Sequence, residues 1–134
     1  MRVEEIEGIG PGYAAKLHTA GVATTDDLLE KGARSGGRNA LETATGISPK
    51  LLLERVNHVD LMRINGVGPE YADLLEAAGV DSRAELNLRN AANLAITMQE
   101  VVAARPGIVR RIPSEMKIQG WIDHSKGLPT VVEH

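Results

Sequence analysis

The feature that most restricts the fold of this 134-residue chain is a segment that occurs twice. Residues 6–33, IEGIGPGYAAKLHTAGVATTDDLLEKGA, align without a gap on residues 64–91, INGVGPEYADLLEAAGVDSRAELNLRNA, with about twelve of 28 positions identical. The shared positions include Gly8/Gly66, Gly10/Gly68, Pro11/Pro69, Tyr13/Tyr71, Ala14/Ala72, Leu17/Leu75, Gly21/Gly79 and Val22/Val80. Self-similarity at one spacing marks a chain built from like structural units. The expected organisation is a first repeat over residues 1–63, a second over 64–127 and a tail over 128–134 that ends frayed.

The punctuation inside each unit is helical. Pro11 and Pro69 suit the first turn of a helix, where no backbone N–H is needed, and Gly21 and Gly79 suit the left-handed position that closes one. The spacing therefore predicts helices over 11–20 and 69–78. Thr24 with Asp27, and Ser82 with Glu85, read as capping boxes that open helices over 25–31 and 83–88. A short helix is expected from about Arg38 to Gly46, and a longer one from Ser48-Pro49 to about Arg63 with Leu51, Leu52, Val56, Val59 and Leu61 as buried positions. The second half predicts helices from Ala91 to Ala104 and from Ser114 to Lys126, separated by a Pro106-Gly107 break. Gly32-Ala33-Arg34-Ser35-Gly36-Gly37-Arg38 reads as a mobile connection, because glycine loses the most freedom on ordering. Strict alternation of apolar and polar residues does not compete with these signals, although residues 107–112 could be extended. The fold class is all-α, a bundle of eight to ten short helices with Leu, Ile, Val and Ala inside, joined by Tyr13, Tyr71 and Trp121.

Composition narrows the chemistry. The chain has no Cys, which removes disulfides, thiol catalysis and zinc-finger ligand sets together. No apolar run approaches the roughly 18 residues of a membrane span, and the start is too acidic for a signal peptide, so a cytoplasmic location is expected. His18, His58, His124 and His134 are scattered without a metal-ligand spacing, and no phosphate-loop motif ends in Lys-Ser/Thr. Asp123-His124-Ser125 are sequence neighbours whose side chains diverge on a helix, so they form no relay. The expectation is a non-catalytic protein with no cofactor and no metal. Its net charge is −3 and its isoelectric point is near 5.8, which opposes the basic face of most nucleic-acid binders.

Ile6-Glu7-Gly8-Ile9-Gly10-Pro11-Gly12-Tyr13-Ala14 and Ile64-Asn65-Gly66-Val67-Gly68-Pro69-Glu70-Tyr71-Ala72 resemble the helix-hairpin-helix motif, an apolar residue and Gly-apolar-Gly ahead of a helix with a small inward Ala. The tandem arrangement with a Trp in the last helix resembles a bacterial family of helix-hairpin-helix domains of unknown function, over nearly the whole chain. The resemblance implies sequence-independent binding of duplex DNA, with backbone N–H groups at the glycine turn and the positive helix end meeting a phosphate. It assigns Gly8, Ile9, Gly10, Gly12 and Lys16 of the first copy, and Gly66, Val67 and Gly68 of the second, to that contact. A symmetric pair of such modules would clamp two phosphate runs of one duplex.

The copies differ where this matters. Gly12 and Lys16 stand where the second copy has Glu70 and Leu74, and Glu70 and Asp73 add negative charge at the second turn, so the first copy is the better phosphate site. Arg105, Arg110 and Arg111, with Lys117, form the densest basic cluster, followed by Arg34 with Arg38; Arg63, Lys16 and Lys50 could extend it. Charge runs ordinarily just face water. The same glycine turn also serves as a packing device in protein-interaction domains, so the alternative reading is a protein-interaction or scaffold module that kept the fold and lost the basic surface.

Overall fold

The computed structural model describes residues 1–6 and 8–134, and among these the regular structure is helical: eight α-helices, a 3-10 turn over Val3–Glu5 and no strand. The helices are α1 (Pro11–Thr19), α2 (Thr25–Gly32), α3 (Ser35–Thr45), α4 (Pro49–Leu61), α5 (Pro69–Ala77), α6 (Arg83–Asn87), α7 (Ala91–Ala104) and α8 (Glu115–Gly127). Among the described residues no helix is long and apolar enough to cross a membrane. The chain divides into two compact units, residues 1–60 with 130–134 and residues 61–129.

The first unit is organised by α1, α2 and α3, with α3 packing on both others. Thr24 accepts from the Asp27 amide, and the Asp27 carboxylate accepts from the amides of Ala23 and Thr24, the reciprocal capping box that starts α2. Val3, Leu17, Val22, Leu28, Leu52 and Val56 are essentially inaccessible. Each side chain of this size stabilises the fold by roughly 1.5 to 3 kcal/mol when fully buried. The first residues are tied down as well, since Val3 N–H donates to the Ala23 carbonyl at 3.1 Å and Thr25 N–H to that of Met1 at 2.8 Å.

The second unit buries Leu61, Ile64, Ala72, Leu74, Leu75, Leu86, Leu94, Met98, Ile118, Trp121 and Ile122 in one cluster. There α8 packs on α6 and α7, and α7 on α5. Trp121 is 2% exposed and its ring meets that of Tyr71 at 5.1 Å between centroids. Ser82 caps α6 by accepting from the Glu85 amide. The Glu85 carboxylate pairs instead with Arg89 at 3.1 Å, so the expected reciprocal box is here a single cap.

The local bonds of the two alike segments recur one for one. Ile9 N–H donates to Ile6 and Val67 N–H to Ile64, at 3.1 and 3.0 Å; Val22 N–H donates to Leu17 and Val80 N–H to Leu75, both at 2.8 Å. Lys31 caps the Gly21 carbonyl and Arg89 the Gly79 carbonyl, each at 3.1 Å. The glycines of the two turns fall into two classes. Gly8 and Gly66 take the left-handed conformation, at φ of 87° and 88°, whereas Gly10 and Gly68 are extended helix caps that another residue could adopt.

Three sequence expectations are corrected. Residues 32–38 are not a mobile connection: α2 runs through Gly32, α3 begins at Ser35, and the glycines permit close packing, since a Cβ on Gly32 would meet the Val56 side chain at 2.6 Å and one on Gly37 would collide with the Lys31 carbonyl oxygen. The last residues are docked, with Val132 buried and Glu133 N–H bonded to the Ala33 carbonyl at 2.7 Å. Tyr13 is 39% exposed and is no core residue, because nothing equivalent to the Tyr71–Trp121 ring contact forms around it among the described residues.

Candidate functional site

The glycine turn of the first unit lies on the surface: Gly8, Gly10, Gly12, Tyr13 and Lys16 are all exposed, while Ile9 between them is buried and anchors the turn. Gly10 is the N-cap of α1 and Pro11 its first residue. A glycine cap has no side-chain oxygen for the first-turn amides, so the N–H groups of Gly12 and Tyr13 meet whatever lies outside, at the positive end of the helix. Lys16 lies one turn on, its Nζ 5.9 Å from the Tyr13 ring centroid. Glu4, which lines a groove with Ile9 and Pro11, is engaged with Arg2 and His18 at 3.3 Å each. Its carboxyl is held below the usual range by its own backbone amide first, then by His18 and Arg2.

One cation at this turn has no place among the sequence candidates. Arg55 of α4 lies against Gly8, close enough that a Cβ there would fall 2.6 Å from its Nη1, and its carboxylate neighbour Glu54 is 3.9 Å away. The matching place in the second unit belongs to Trp121, whose Nε1 would be 3.2 Å from a Cβ on Gly66. Aligning the two 13-residue helices on Ser48-Pro49 and Ser114-Glu115 places Arg55 opposite Trp121, and His58 opposite His124, which accepts from the Asn65 amide at 3.0 Å. That alignment lies beyond the obvious repeat, but it was readable in the sequence.

Beside the second glycine turn, the start of α5 is covered by its own unit. The link 105–114 between α7 and α8 runs along the start of α5, with the Arg110 amide donating to Glu70 and the Tyr71 hydroxyl donating to the Arg111 carbonyl at 3.0 Å. Arg105 approaches Asp73 at 3.9 Å and Arg110 approaches Glu70 at 4.0 Å, while Lys117 lies 5.0 Å from the Tyr71 ring centroid. The basic cluster thus gathers at the turn and spends part of its charge on the acids of α5. The first unit has only the link 46–48 between α3 and α4, too short to make such a cover. Gly66 is exposed, Val67 buried and Gly68 half-buried.

The Arg34 and Arg38 pair does not make a basic patch. Arg38 is 4% exposed and its guanidinium donates to the carbonyls of Gly32, Ala33 and Glu133 at 2.9, 3.0 and 2.6 Å. Arg63 donates to the Pro129 carbonyl at 3.2 Å. Among the described residues no group of three or more His, Asp or Glu is placed to hold a metal ion. Apolar grooves are small or open: Ile9, Tyr13, Leu17, Leu51 and Arg55 line one beside the first turn, and Glu4, Pro11, Ala15 and His18 line a second of about 410 Å³ along α1.

A family model described as a domain of unknown function (DUF4332) matches residues 7–128. No curated protein and no solved structure matches the chain.

Proposed function

The chain belongs to the family described as a domain of unknown function (DUF4332), and from that premise we propose that it is a non-catalytic module of the helix-hairpin-helix kind whose first glycine turn binds the phosphate backbone of duplex DNA without reading sequence. One observation carries this reading: the surface that residues 105–114 cover in the second unit at Glu70 and Tyr71 is exposed in the first at Gly12 and Tyr13, with Lys16 exposed one turn on. Backbone amides at a helix start attract an oxyanion through their aligned dipoles, and the exposed Lys16 adds a cation that displaces counterions. The second turn contributes less, because Glu70 puts a carboxylate in the first turn of α5, where it accepts from the Arg110 amide. One turn engaging two or three phosphates binds weakly and with strong dependence on salt.

The deciding measurement is the affinity of the full chain for a mixed-sequence duplex at about 50 and about 200 mM salt, where two or three phosphate contacts lose roughly ten- to fortyfold in affinity. Absence of binding at the lower salt refutes the proposal. A protein-interaction role is the second reading, and a different observation favours it: Leu88 and Met116 of the second unit are large apolar residues exposed to 82% and 84%. Retention of a protein partner after nuclease treatment, with no duplex affinity, would select it.

A further inference from the structure

We propose that residues 130–134 act as a latch: Glu133, seated on Ser35 and Arg38, holds the glycine-rich end of α2 and start of α3 helical, and when that seat is broken this corner opens locally while the rest of the fold persists.

The argument begins with an absence of local capping. Arg34 is the N-cap of α3 and makes no side-chain cap bond. The first turn of a helix leaves N–H groups without partners, and a carboxylate at that end is stabilising. Glu133 supplies one from the far end of the sequence. Its Oε1 accepts from the Ser35 amide at 3.2 Å and from the Ser35 hydroxyl at 2.6 Å. The end of α2 depends on the same segment. Ala33 gives its carbonyl to Glu133 N–H at 2.7 Å and to Arg38 Nη1 at 3.0 Å, and Arg38 Nη2 donates onward to the Glu133 carbonyl at 2.6 Å. Arg38 is buried, so each of these carbonyl contacts replaces water it has given up. Val132 is 4% exposed and His134 Nε2 lies 2.9 Å from Asn57 Oδ1, which fixes the segment on both sides of Glu133.

The corner that the latch holds has little helical tendency of its own. Gly32, Gly36 and Gly37 lie within six residues, and glycine is a poor residue in a helix interior. Segments of this kind open at low free energy unless tertiary contacts hold them. Glu133 is exposed, and its carboxyl is lowered first by the Ser35 bonds and then by the charges of Arg38 and Arg34. Reversing its charge therefore removes the attraction and both bonds at once.

The test is amide hydrogen exchange on the full chain. In Glu133→Lys the amides of residues 35–38 are expected to exchange at least about tenfold faster, a loss of local protection, with α7 and α8 unchanged. Glu133→Gln, which keeps an oxygen acceptor, should fall between this variant and the parent. Unchanged exchange at residues 35–38, or an equal acceleration in α7 and α8, overturns the latch. Ser35→Ala gives an independent reading should the charge reversal fail to fold. It removes the 2.6 Å hydroxyl bond, and acceleration confined to the same four amides supports the proposal, whereas none refutes it.

Discussion

The Tyr71 hydroxyl donates to the carbonyl of Arg111 at 3.0 Å, and its repeat counterpart Tyr13 has no such cover and is 39% exposed. Two like segments are thereby made unlike by a link elsewhere in the chain. The long link folds over α5 and satisfies Glu70 and Tyr71, whereas the short link 46–48 leaves the start of α1 facing solvent. The tyrosine hydroxyl that one unit satisfies internally faces water or a ligand in the other.

Exchanging the first-turn residues of the two copies tests this asymmetry. Gly12→Glu places in α1 the acid that Glu70 provides in α5, and a Cβ on Gly12 meets nothing within 4 Å, so the fold should be undisturbed. Duplex affinity at low salt is expected to fall about tenfold or more, the cost of a like charge beside a phosphate. Arg111→Glu should have a smaller effect. Fluorescence anisotropy with a labelled duplex measures both, and equal losses would count against the first turn as the contact.

The two glycine classes separate in stability. Gly8→Ala must adopt φ near 87° and also displace the Arg55 guanidinium, and it should lower unfolding free energy by about 1 to 2 kcal/mol. Gly10→Ala, at φ of −78° with open space around the new Cβ, should change it by less than about 0.5 kcal/mol. Urea denaturation of the two variants gives the comparison. Similar losses would mean that the turn conformation differs from that described.

Ala72 is 0% exposed where α5 meets its neighbours, and Ala72→Leu should overpack this interface at about 1 to 3 kcal/mol. Ala15, exposed on α1, is the control, and Ala15→Leu should be close to neutral. Thermal unfolding followed by helix circular dichroism distinguishes them.

The capping box of α2 carries a pH dependence. Bonds from the Ala23 and Thr24 amides, then from the Thr24 hydroxyl, depress the Asp27 carboxyl below its ordinary value of 3.8. A depressed folded-state pKa adds stability that is present above the unfolded value and is lost as pH falls through the folded one. The melting temperature of the parent should therefore exceed that of Asp27→Ala near neutral pH, and the gap should narrow below about pH 4. A gap constant down to pH 2 would show that the carboxylate does not make these bonds in solution.

Most helix limits could be read in advance because their causes lie within one turn of the limit. Pro11 and Pro69 set the first turn at their own position, Thr24, Ser48, Ser82 and Ser114 accept from amides three residues on, and the glycines at 21, 46 and 79 close the helices before them. The candidate site was legible in part for the same reason, since the repeat itself identifies the glycine turns. What each turn faces depends on partners far along the chain: Arg55 on Gly8, Trp121 on Gly66, and Arg111 on Tyr71.

The sequence by itself determined that the chain is helical and carries two alike segments, and it set where nearly every helix begins and ends. Tertiary structure alone decided that the glycine-rich stretch after Lys31 is helical, that Arg38 is buried, and that one Tyr of the repeated pair is covered and the other exposed. The reason is range. A cap satisfies neighbouring amides whatever the rest of the chain does, whereas the Glu133 bond to Ser35 and the Tyr71 bond to Arg111 join residues distant in sequence and exist only once the chain has folded.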